Sequence, residues 1–398
     1  MKVLVINDYA RKGGAEEVYH ASVDVLRAQP GIEVLQFDET TPGVTASGAA
    51  RAWNTGAARA LADILERERP ERVLVHNYHN LLSPSILPVL ARYRRRSGCR
   101  TLLTCHDYHL VYYNPSLLTY PDGRPTPLPL DAIARGSLLL RRSSPRGALH
   151  DVMKKLHWHA VQTFVHPARA FDLLLCPSPY MREALARRGL THTVLLHNPV
   201  STSLTPGAPV CKARERFDLA FVGRIDHEKG LGEFLALADA TRFEKIASVT
   251  VYGDGGERAA LERRHADLIA AGRLRFAGRL DQASLFAALR HHDALVLPSV
   301  WAENAPLVIV EAAMLGLPVL VHDIGSLSSF GDEIGNKIRY TQTADSLGRA
   351  LDTLGAHLRD PNRRYDWSLY TRRHYAASLS AALELNTADV DELTPQCI

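Results

Sequence analysis

The sequence predicts an α/β protein with two Rossmann-like domains, each a parallel sheet flanked by helices. Short apolar runs rich in Val, Leu and Ile alternate with helical patterns along the chain, which is typical of parallel-sheet proteins. The chain has 398 residues, and a domain usually contains roughly 100–200 residues, so two domains are expected. Residues 201–210, rich in Ser, Thr, Pro and Gly, separate two series of apolar runs.

The first series of predicted strands begins near the N-terminus and defines a domain over residues 1–200. Gly13 and Gly14 open its first helix, which extends through Ala28. Polar residues, Gly or Pro follow each strand, and ligands of open α/β sheets bind at those carboxyl ends. The predicted strands are Val3–Ile6, Arg72–His76, Thr101–Cys105 and Leu173–Cys176.

The second series of predicted strands follows the linker and defines a domain over residues 201–364. Its strands recur at α/β spacing, which again indicates a Rossmann-like arrangement. A last helix around Tyr365–Leu385 fits either domain on its pattern alone. The predicted strands are Leu219–Gly223, Ser248–Gly253, Leu274–Gly278, Ala294–Pro298 and Pro318–His322.

Composition excludes several classes of protein. The net charge of +4 is far below that of a nucleic-acid-binding domain, so no nucleic-acid partner is expected. The five scattered cysteines form no C-x-x-C pair, which indicates neither a zinc site nor a disulfide framework and suits a reducing cytoplasm. The N-terminal apolar run is too short for a signal peptide. The longest apolar stretch, Ala305–Val321, contains Glu311 and Pro318 and falls short of the roughly 20 residues of a membrane span.

The strongest functional motif is the segment Glu303–Glu311, which follows the predicted strand ending at Pro298. Asn304 is a suitable N-cap and Pro306 suits the first turn of a helix. Outward-facing N–H groups at a helix N-terminus form an anion site suited to a pyrophosphate. The groups expected there are those of Ala305, Leu307 and Val308.

Two carboxylates bracket this expected anion site. Glu303 precedes the helix and can reach beyond a phosphate to a sugar, while Glu311, expected two turns into the helix, can accept hydrogen bonds from ribose hydroxyls. The pair therefore suits a nucleotide sugar. The alternative is a capped amphipathic helix with a solvent-facing Glu311, which the apolar residues around Glu311 disfavour.

A second motif carries two cations at a strand end. The predicted strand ends at Gly223, a helix begins near Gly230, and Arg224 and Lys229 flank the loop between them. Cations in this position can neutralise a diphosphate leaving group as its bond breaks. The alternative is a solvated basic loop, which is the more common origin of such a pattern.

The glycine pair Gly13 and Gly14, at the start of the first helix, allows close approach of a ligand to the backbone. The segment Asp8–Glu16 lacks the G-x-G-x-x-G pattern, which disfavours a nicotinamide cofactor. A glycine pair is also common in turns that bind nothing.

Polar residues at other strand ends either contact a ligand or have a structural role only. His106 can hydrogen-bond a sugar hydroxyl or can be satisfied by its neighbour Asp107, and His76 has the same ambiguity on another strand. Gly253 and Asp254 lie either near a nucleotide or in a turn only.

Taken together, the motifs resemble those of the family-four glycosyltransferases of the GT-B fold, over nearly the whole chain. Order and spacing agree with the family, and the glutamates separated by seven residues are the most specific feature. The matching segments are the glycine loop Gly13–Glu16, the histidine segment Thr104–Asp107, the interdomain crossing Asn198–Pro199, the clamp of Arg224 and Lys229, and the pair Glu303 and Glu311.

The resemblance implies two domains facing each other across a cleft, with the last helix, residues 365–398, packed back on the N-terminal domain. It implies retaining transfer of a sugar from a nucleotide-diphosphate donor to a glycan or lipid-linked acceptor, in bacterial cell-surface glycan or lipopolysaccharide assembly. No metal or other cofactor would be required, and the leaving diphosphate would help to deprotonate the acceptor, so no protein nucleophile is needed.

The resemblance also implies roles for individual residues. Glu303 would contact hydroxyls of the donor sugar and Glu311 those of the ribose, while Arg224 and Lys229 would hold the diphosphate. The expected catalytic residues are Glu303, His106, Arg224 and Lys229. The other expected donor-binding residues are Gly13, Gly14, Gly223, Gly253, Asp254, Asn304, Ala305, Pro306, Leu307 and Glu311.

Alternatives within the same fold are a glycosyl phosphorylase, a sugar-nucleotide epimerase and a non-catalytic subunit that binds a sugar nucleotide. The glutamate pair and the two cations favour the transferase. The chain departs from the family at Gly325-Ser326, where paired glycines are frequent, and at Tyr112–Pro115, where relatives often continue with Cys-Pro. These departures concern the donor-sugar contacts and the choice of acceptor.

Two clusters of Arg and Lys in the N-terminal domain predict peripheral contact with the anionic inner face of the cytoplasmic membrane. Mixed cationic and apolar residues are typical of interfacial segments. The alternative is a solvated basic face whose apolar residues belong to the core. The cations are Arg92, Arg94, Arg95, Arg96 and Arg100, then Arg141, Arg142, Arg146, Lys154 and Lys155, and the apolar residues are Leu138–Leu140, Leu149, Leu156 and Trp158.

Overall fold

The computed structural model describes residues 1–10, 13–123, 125–134, 141–200 and 206–385. The chain separates into two compact units. Unit 1 contains residues 1–124, 128–199 and the chain from Tyr370 onward, and unit 2 contains residues 125–127 and 200–369. The unit boundary at Pro199 lies next to the sequence-based boundary after residue 200. Most of the linker, residues 201–205, lies outside the described part.

The sheet of unit 1 has six parallel strands in the order β2-β1-β3-β4-β7-β8. The strands that the structure describes in the first 200 residues are β1 (Lys2–Ile6), β2 (Glu33–Phe37), β3 (Arg72–Val75), β4 (Arg100–Thr104), β5 (Leu118–Thr119), β6 (Thr126–Pro127), β7 (Leu173–Cys176) and β8 (Thr193–Leu195). The sequence pattern missed β2 and β8 because they are the edge strands, which are only partly buried and lack a continuous apolar run.

Among the described residues, six helices connect these strands, and local caps explain where some of them begin. The Asn54 side chain accepts a hydrogen bond from the N–H of Ala57, and Ser178 caps a helix that has proline at its first position. The helices are α1 (Gly14–Arg27), α2 (Thr55–Glu68), α3 (Ile86–Ser97), α4 (Leu130–Ala134), α5 (Ala148–Ala160) and α6 (Pro179–Ala186).

The sheet of unit 2 also has six parallel strands, in the order β11-β10-β9-β12-β13-β14. They are β9 (Phe217–Val222), β10 (Ile246–Tyr252), β11 (Leu274–Gly278), β12 (Ala294–Leu297), β13 (Val319–His322) and β14 (Lys337–Tyr340). Strand order reverses between β9 and β12, and open α/β sheets bind ligands outside the carboxyl ends of the strands at such a point. The predicted α/β class is therefore confirmed in both units.

Helices of unit 2 pack around this sheet, and an apolar cluster that includes Phe221, Phe234 and Leu354 forms its core. The helices that follow β9 in this unit are α7 (Leu231–Ala240), α8 (Arg258–Arg264), α9 (Ala266–Ala270), α10 (Gln282–Leu289), α11 (Val308–Met314) and α12 (Ala344–Arg359), and α13 (Arg372–Leu383) follows them in the chain. In the described part of the chain, no helix is both long enough and apolar enough to cross a bilayer.

The last helix, α13, belongs to unit 1 although it follows unit 2 in sequence. Tyr375 and Leu379 share an apolar cluster with Val3 of β1. The Tyr375 hydroxyl lies 2.7 Å from the Ser22 hydroxyl, and Gln29 donates to the Ser380 hydroxyl at 2.7 Å. The helix begins at Arg372, later than the sequence pattern indicated, because the Thr371 side chain caps it. Residues 386–398 lie outside the described part.

Candidate active site

The loops that follow β9 and β12 are in direct contact at the reversal of strand order in unit 2. Gly230 has a positive φ of 69°, and a Cβ there would lie 2.0 Å from the carbonyl oxygen of Pro298. The N–H of Val300 donates to the carbonyl of Glu228 at 3.0 Å. Glycine at 230 therefore permits the approach that brings Lys229 to the end of β12.

Lys229 and Glu303 form the polar centre of this region. The Lys229 ammonium donates to Glu303 Oε1 at 2.6 Å, and the Ser299 hydroxyl donates to the same oxygen at 2.7 Å. Glu303 is buried, with 8% of its surface exposed. Two charge-assisted donors therefore fix the orientation of a buried carboxylate.

Trp301 adds an aromatic face to this pair. The Lys229 ammonium lies 5.3 Å from the centroid of the Trp301 ring. The buried indole N–H of Trp301 has no acceptor among the described residues. A buried donor without a partner is costly in a protein that binds nothing there. Ser299 and Trp301 were not recognised in the sequence, although both follow β12 directly.

The loop after β13 supports the Glu303 loop from the other side. The Ser326 hydroxyl donates to the backbone carbonyl of Glu303, and His322 Nδ1 lies 2.9 Å from the carbonyl of Ser299. Gly325 has a φ of 54°, and a Cβ there would lie 2.8 Å from Ala302 Cα. The departure from paired glycines at Gly325-Ser326 thus supplies a hydrogen bond that holds the Glu303 backbone.

Helix α11 begins at Val308, so the predicted N-cap at Asn304 is wrong. Leu307 occupies the N-cap position, and the first helix-forming contact runs from the N–H of Ile309 to the carbonyl of Pro306 at 3.1 Å. The reason is that Ala305 precedes proline, which disfavours helical backbone there.

The shorter helix also changes the position of Glu311 and of the expected anion site. Glu311 lies in the first turn rather than two turns in. Asn304, Ala305, Pro306 and Leu307 form a half-buried turn between Glu303 and the helix. These residues stay next to Glu303 in the chain, and the carbonyls of Pro306 and Leu307 accept the first hydrogen bonds of the helix, from the N–H groups of Ile309 and Glu311.

Arg224 is held differently from Lys229. Its guanidinium bonds the carboxylates of Asp226 and, at 2.8 Å, Glu228 in its own loop, and 57% of the side chain is exposed. An exposed guanidinium can exchange carboxylate partners for phosphate oxygens, because both accept its paired N–H donors. The structure therefore places one predicted cation on Glu303 and leaves the other at the surface of the same loop.

Gly223 and Gly253 follow β9 and β10, and their loops touch each other. A Cβ on Gly253 would lie 1.8 Å from the carbonyl oxygen of Gly223. The N–H of Ile225 donates to the carbonyl of Asp254 at 3.1 Å. This backbone contact accounts for glycine at 253 without a ligand, which favours the turn interpretation for Gly253 and Asp254.

In unit 1, His76 and His106 meet at the carboxyl ends of β3 and β4. His76 Nδ1 lies 2.9 Å from His106 Nε2, and the rings stack with centroids 5.2 Å apart. Burial lowers the pKa of His106 to about 4, although Asp107 acts in the opposite direction, and burial lowers the pKa of His76 as well. Both rings are therefore neutral near pH 7. The alternative in which Asp107 satisfies His106 is wrong, since Asp107 bonds His109.

Asp8, which follows β1 in unit 1, contacts the loop after β3. Asp8 accepts hydrogen bonds from the N–H groups of Asn80, Leu81 and Leu82 at 2.8–2.9 Å. Gly13 is the extended N-cap of α1, and a Cβ on Gly14 would meet nothing within 4 Å. Packing thus leaves open space at the start of α1.

Comparison with known proteins agrees with this arrangement. The family model described as Glycosyltransferase Family 4 matches residues 22–204, and the model described as Glycosyl transferases group 1 matches residues 211–374. A glycogen synthase of Mycobacterium tuberculosis is 32% identical over 176 residues, 42% of this chain and 41% of that protein. A phosphatidyl-myo-inositol mannosyltransferase of Mycolicibacterium smegmatis is 29% identical over 192 residues, 44% of this chain and 49% of that protein. The chain spans less than half of the length of each.

Solved structures match over the whole fold. Sucrose-phosphate synthase from Thermosynechococcus elongatus has a TM-score of 0.61 and 17% identity, with 96% of this chain and 98% of that chain covered. Anabaena Alr3699/HepE in complex with UDP-glucose has a TM-score of 0.54 and 16% identity, with 100% and 98% covered. With consecutive family models spanning residues 22–204 and 211–374, the chain belongs to the family-four glycosyltransferases and has the GT-B fold.

Proposed function

We propose that the protein is a retaining glycosyltransferase that moves a hexosyl group from a nucleotide-diphosphate sugar to an acceptor hydroxyl. The observation that carries the proposal is the Lys229–Glu303 pair, in which a buried carboxylate and a cation meet where the strand order of unit 2 reverses. Family membership supports transfer of a sugar as the class of reaction.

Each side chain at this point has a distinct proposed task. Lys229 and Arg224 neutralise the charge that develops on the leaving diphosphate. Glu303 accepts hydrogen bonds from hydroxyls of the donor sugar, and Ser299 keeps its carboxylate oriented. The orphan indole N–H of Trp301 is available to an oxygen of the donor, and Glu311 contacts the ribose.

The two cations also explain why the proposed transfer needs no metal at the donor. Metal-dependent transferases hold a divalent ion on carboxylates to balance the diphosphate, whereas this loop presents an ammonium and a guanidinium. The leaving diphosphate accepts the proton of the acceptor hydroxyl, so no protein nucleophile is required. The Anabaena structure contains UDP-glucose, which makes this compound the first donor to test.

We expect nucleoside diphosphate release from a nucleotide sugar, with a product that keeps the anomeric configuration of the donor, and we expect this turnover to continue in excess chelator. Proton NMR of the product measures the configuration, and a coupled assay measures diphosphate release. An inverted product would contradict the mechanism. A requirement for inorganic phosphate would indicate a phosphorylase. Formation of an epimeric nucleotide sugar would indicate an epimerase, and binding without turnover would indicate a non-catalytic subunit.

We further propose that unit 1 docks on an anionic membrane of a bacterial cytoplasm, where it meets a lipid-linked acceptor used in cell-surface glycan assembly. Helix α5 carries the supporting observation. Four apolar side chains recur at helical spacing on one face and are 50–76% exposed. Phe164, just beyond α5, is 83% exposed. The four are Leu149, Val152, Met153 and Leu156.

The structure separates the cations and apolar residues that the sequence grouped together. Lys155 is buried and bonds Asp151, and Trp158 is also buried, so neither can face a membrane. In the other basic cluster, Arg94 bonds Asp172 and Arg100 bonds Glu384 at 2.6 Å. Residues 138–140 lie outside the described part. The exposed cations beside α5 are Arg141, Arg142 and Arg146.

The double variant Leu149→Asp with Leu156→Asp is expected to abolish binding to anionic liposomes. The double variant Arg141→Glu with Arg146→Glu is expected to weaken this binding, since each cation near an anionic leaflet contributes about 1 kcal/mol. Co-sedimentation at low and high salt measures this binding, which should weaken as salt is raised. Leu280→Asp, at an exposed apolar position of unit 2, is the matched control. If wild-type protein stays in the supernatant at low salt, the docking proposal is wrong.

A further inference from the structure

We propose that unit 1 contains a binding site for a divalent transition-metal ion of the zinc type, with His79, Asp107 and His109 as its protein ligands. The site goes beyond the proposed function, since the donor chemistry proposed for unit 2 involves no metal. His79 follows β3, and the other two residues follow the neighbouring strand β4.

The three side chains converge with geometry close to that of a metal site. Each offers one ligand atom, and these atoms all lie within 4.8 Å of one another. His109 Nδ1 lies 3.0 Å from both carboxylate oxygens of Asp107, and the rings of His79 and His109 stack with centroids 3.9 Å apart. Zinc–ligand bonds of roughly 2.0–2.2 Å place tetrahedral ligands about 3.3–3.6 Å apart, so a small closure suffices.

The backbone on both sides of the cluster is already anchored. The N–H of His109 donates to Asp107 at 2.9 Å, and its carbonyl accepts the indole N–H of Trp158 at 2.7 Å. The N–H of Asn80, next to His79, donates to Asp8 at 2.8 Å. A site whose ligands are held by such contacts loses little freedom when an ion binds.

His79 distinguishes the cluster from a simple ion pair. Asp107 and His109 satisfy each other, but the His79 ring forms no hydrogen bond with any residue that the structure describes. The ring is nevertheless half-buried and stacked against the ring that contacts the carboxylate. A metal ion would give His79 the partner that the protein does not supply.

The donor set selects the class of ion. Two imidazole nitrogens with one carboxylate oxygen suit Zn²⁺ and related first-row ions, whereas Mg²⁺ and Ca²⁺ prefer sites made of oxygen alone. Three protein ligands leave a fourth position for water or for an oxygen of another ligand. Because its ligands follow β3 and β4, the ion would lie at the same strand ends as His76 and His106.

Titration calorimetry on protein stripped by chelator and dialysed, with neither donor nor acceptor present, tests the proposal. We expect one Zn²⁺ per chain. Because loss of even an outer-shell partner usually costs 10–100-fold in affinity, His79→Ala and Asp107→Asn should each lower it by at least about 100-fold. Zn²⁺ should raise the Tm of the wild type and not that of either variant.

His291→Ala, at an exposed histidine of unit 2, is the matched control and should bind Zn²⁺ as the wild type does. His79→Gln serves if the alanine variant does not fold, since it keeps most of the side-chain volume. The proposal is wrong if Zn²⁺ does not bind, or if binding is unchanged in His79→Ala and His79→Gln. The result does not depend on glycosyl transfer, so it stands or fails separately from the proposed function.

Discussion

Glu303→Ala is expected to lower turnover by about 100-fold or more while leaving the fold intact, because removal of one preorganised electrostatic contact typically has an effect of this size. Glu303 is the carboxylate on which Lys229 and Ser299 converge at the end of β12. Its replacement removes the proposed acceptor for hydroxyls of the donor sugar and releases Lys229 from its position.

Glu303→Gln separates these two effects. The amide keeps the size of the side chain and one oxygen acceptor but loses the charge that holds the Lys229 ammonium. We expect an intermediate loss for Gln and the full loss for Ala if both orientation and charge matter. Rates of diphosphate release at saturating donor measure the effect, and Tm measures the fold. Near-wild-type turnover in Glu303→Ala would exclude this residue from the site.

Lys229→Ala and Arg224→Ala are each expected to remove most turnover, again by about 100-fold, since each takes away a cation that is proposed to neutralise the charge developing on the diphosphate. The two variants should differ in stability. Lys229→Ala leaves the buried Glu303 carboxylate without its ammonium partner, and an uncompensated buried charge destabilises the protein. Arg224 is largely exposed, so its loss should leave Tm unchanged.

A lysine elsewhere in unit 2 provides the control for both substitutions. Lys245→Ala breaks an exposed pair with Asp352 and should alter neither turnover nor Tm measurably, since exposed pairs contribute about 0–1 kcal/mol. The double variant Lys229→Met with Glu303→Gln should regain stability but not activity. Retention of activity in both Arg224→Ala and Lys229→Ala would show that the diphosphate is bound elsewhere.

Both the central strands and the order of motifs were determined by the sequence itself. Val3–Ile6, Leu173–Cys176 and Ala294–Leu297 are continuous apolar runs, and a strand that is buried on both faces requires such a run whatever surrounds it. Edge strands such as Lys337–Tyr340 face solvent on one side, so their mixed composition does not distinguish them from loops. The start of helix α11 was also predicted wrongly from the sequence. Asn304 is a good cap, but the Ala305-Pro306 pair delays the helix until Val308.

Contacts between distant residues were decided only by the tertiary structure. Lys229 and Glu303 are 74 positions apart, and they meet because β9 and β12 are neighbours in a sheet whose strand order reverses between them. His79 reaches Asp107 and His109 for a similar reason, since β3 and β4 lie side by side. Local periodicity reflects the burial of each segment, whereas strand pairing and backbone approaches such as that of Gly230 to Pro298 depend on the whole sheet. The sequence therefore identified residues able to do chemistry, and the packing of the loops determined which of them act together.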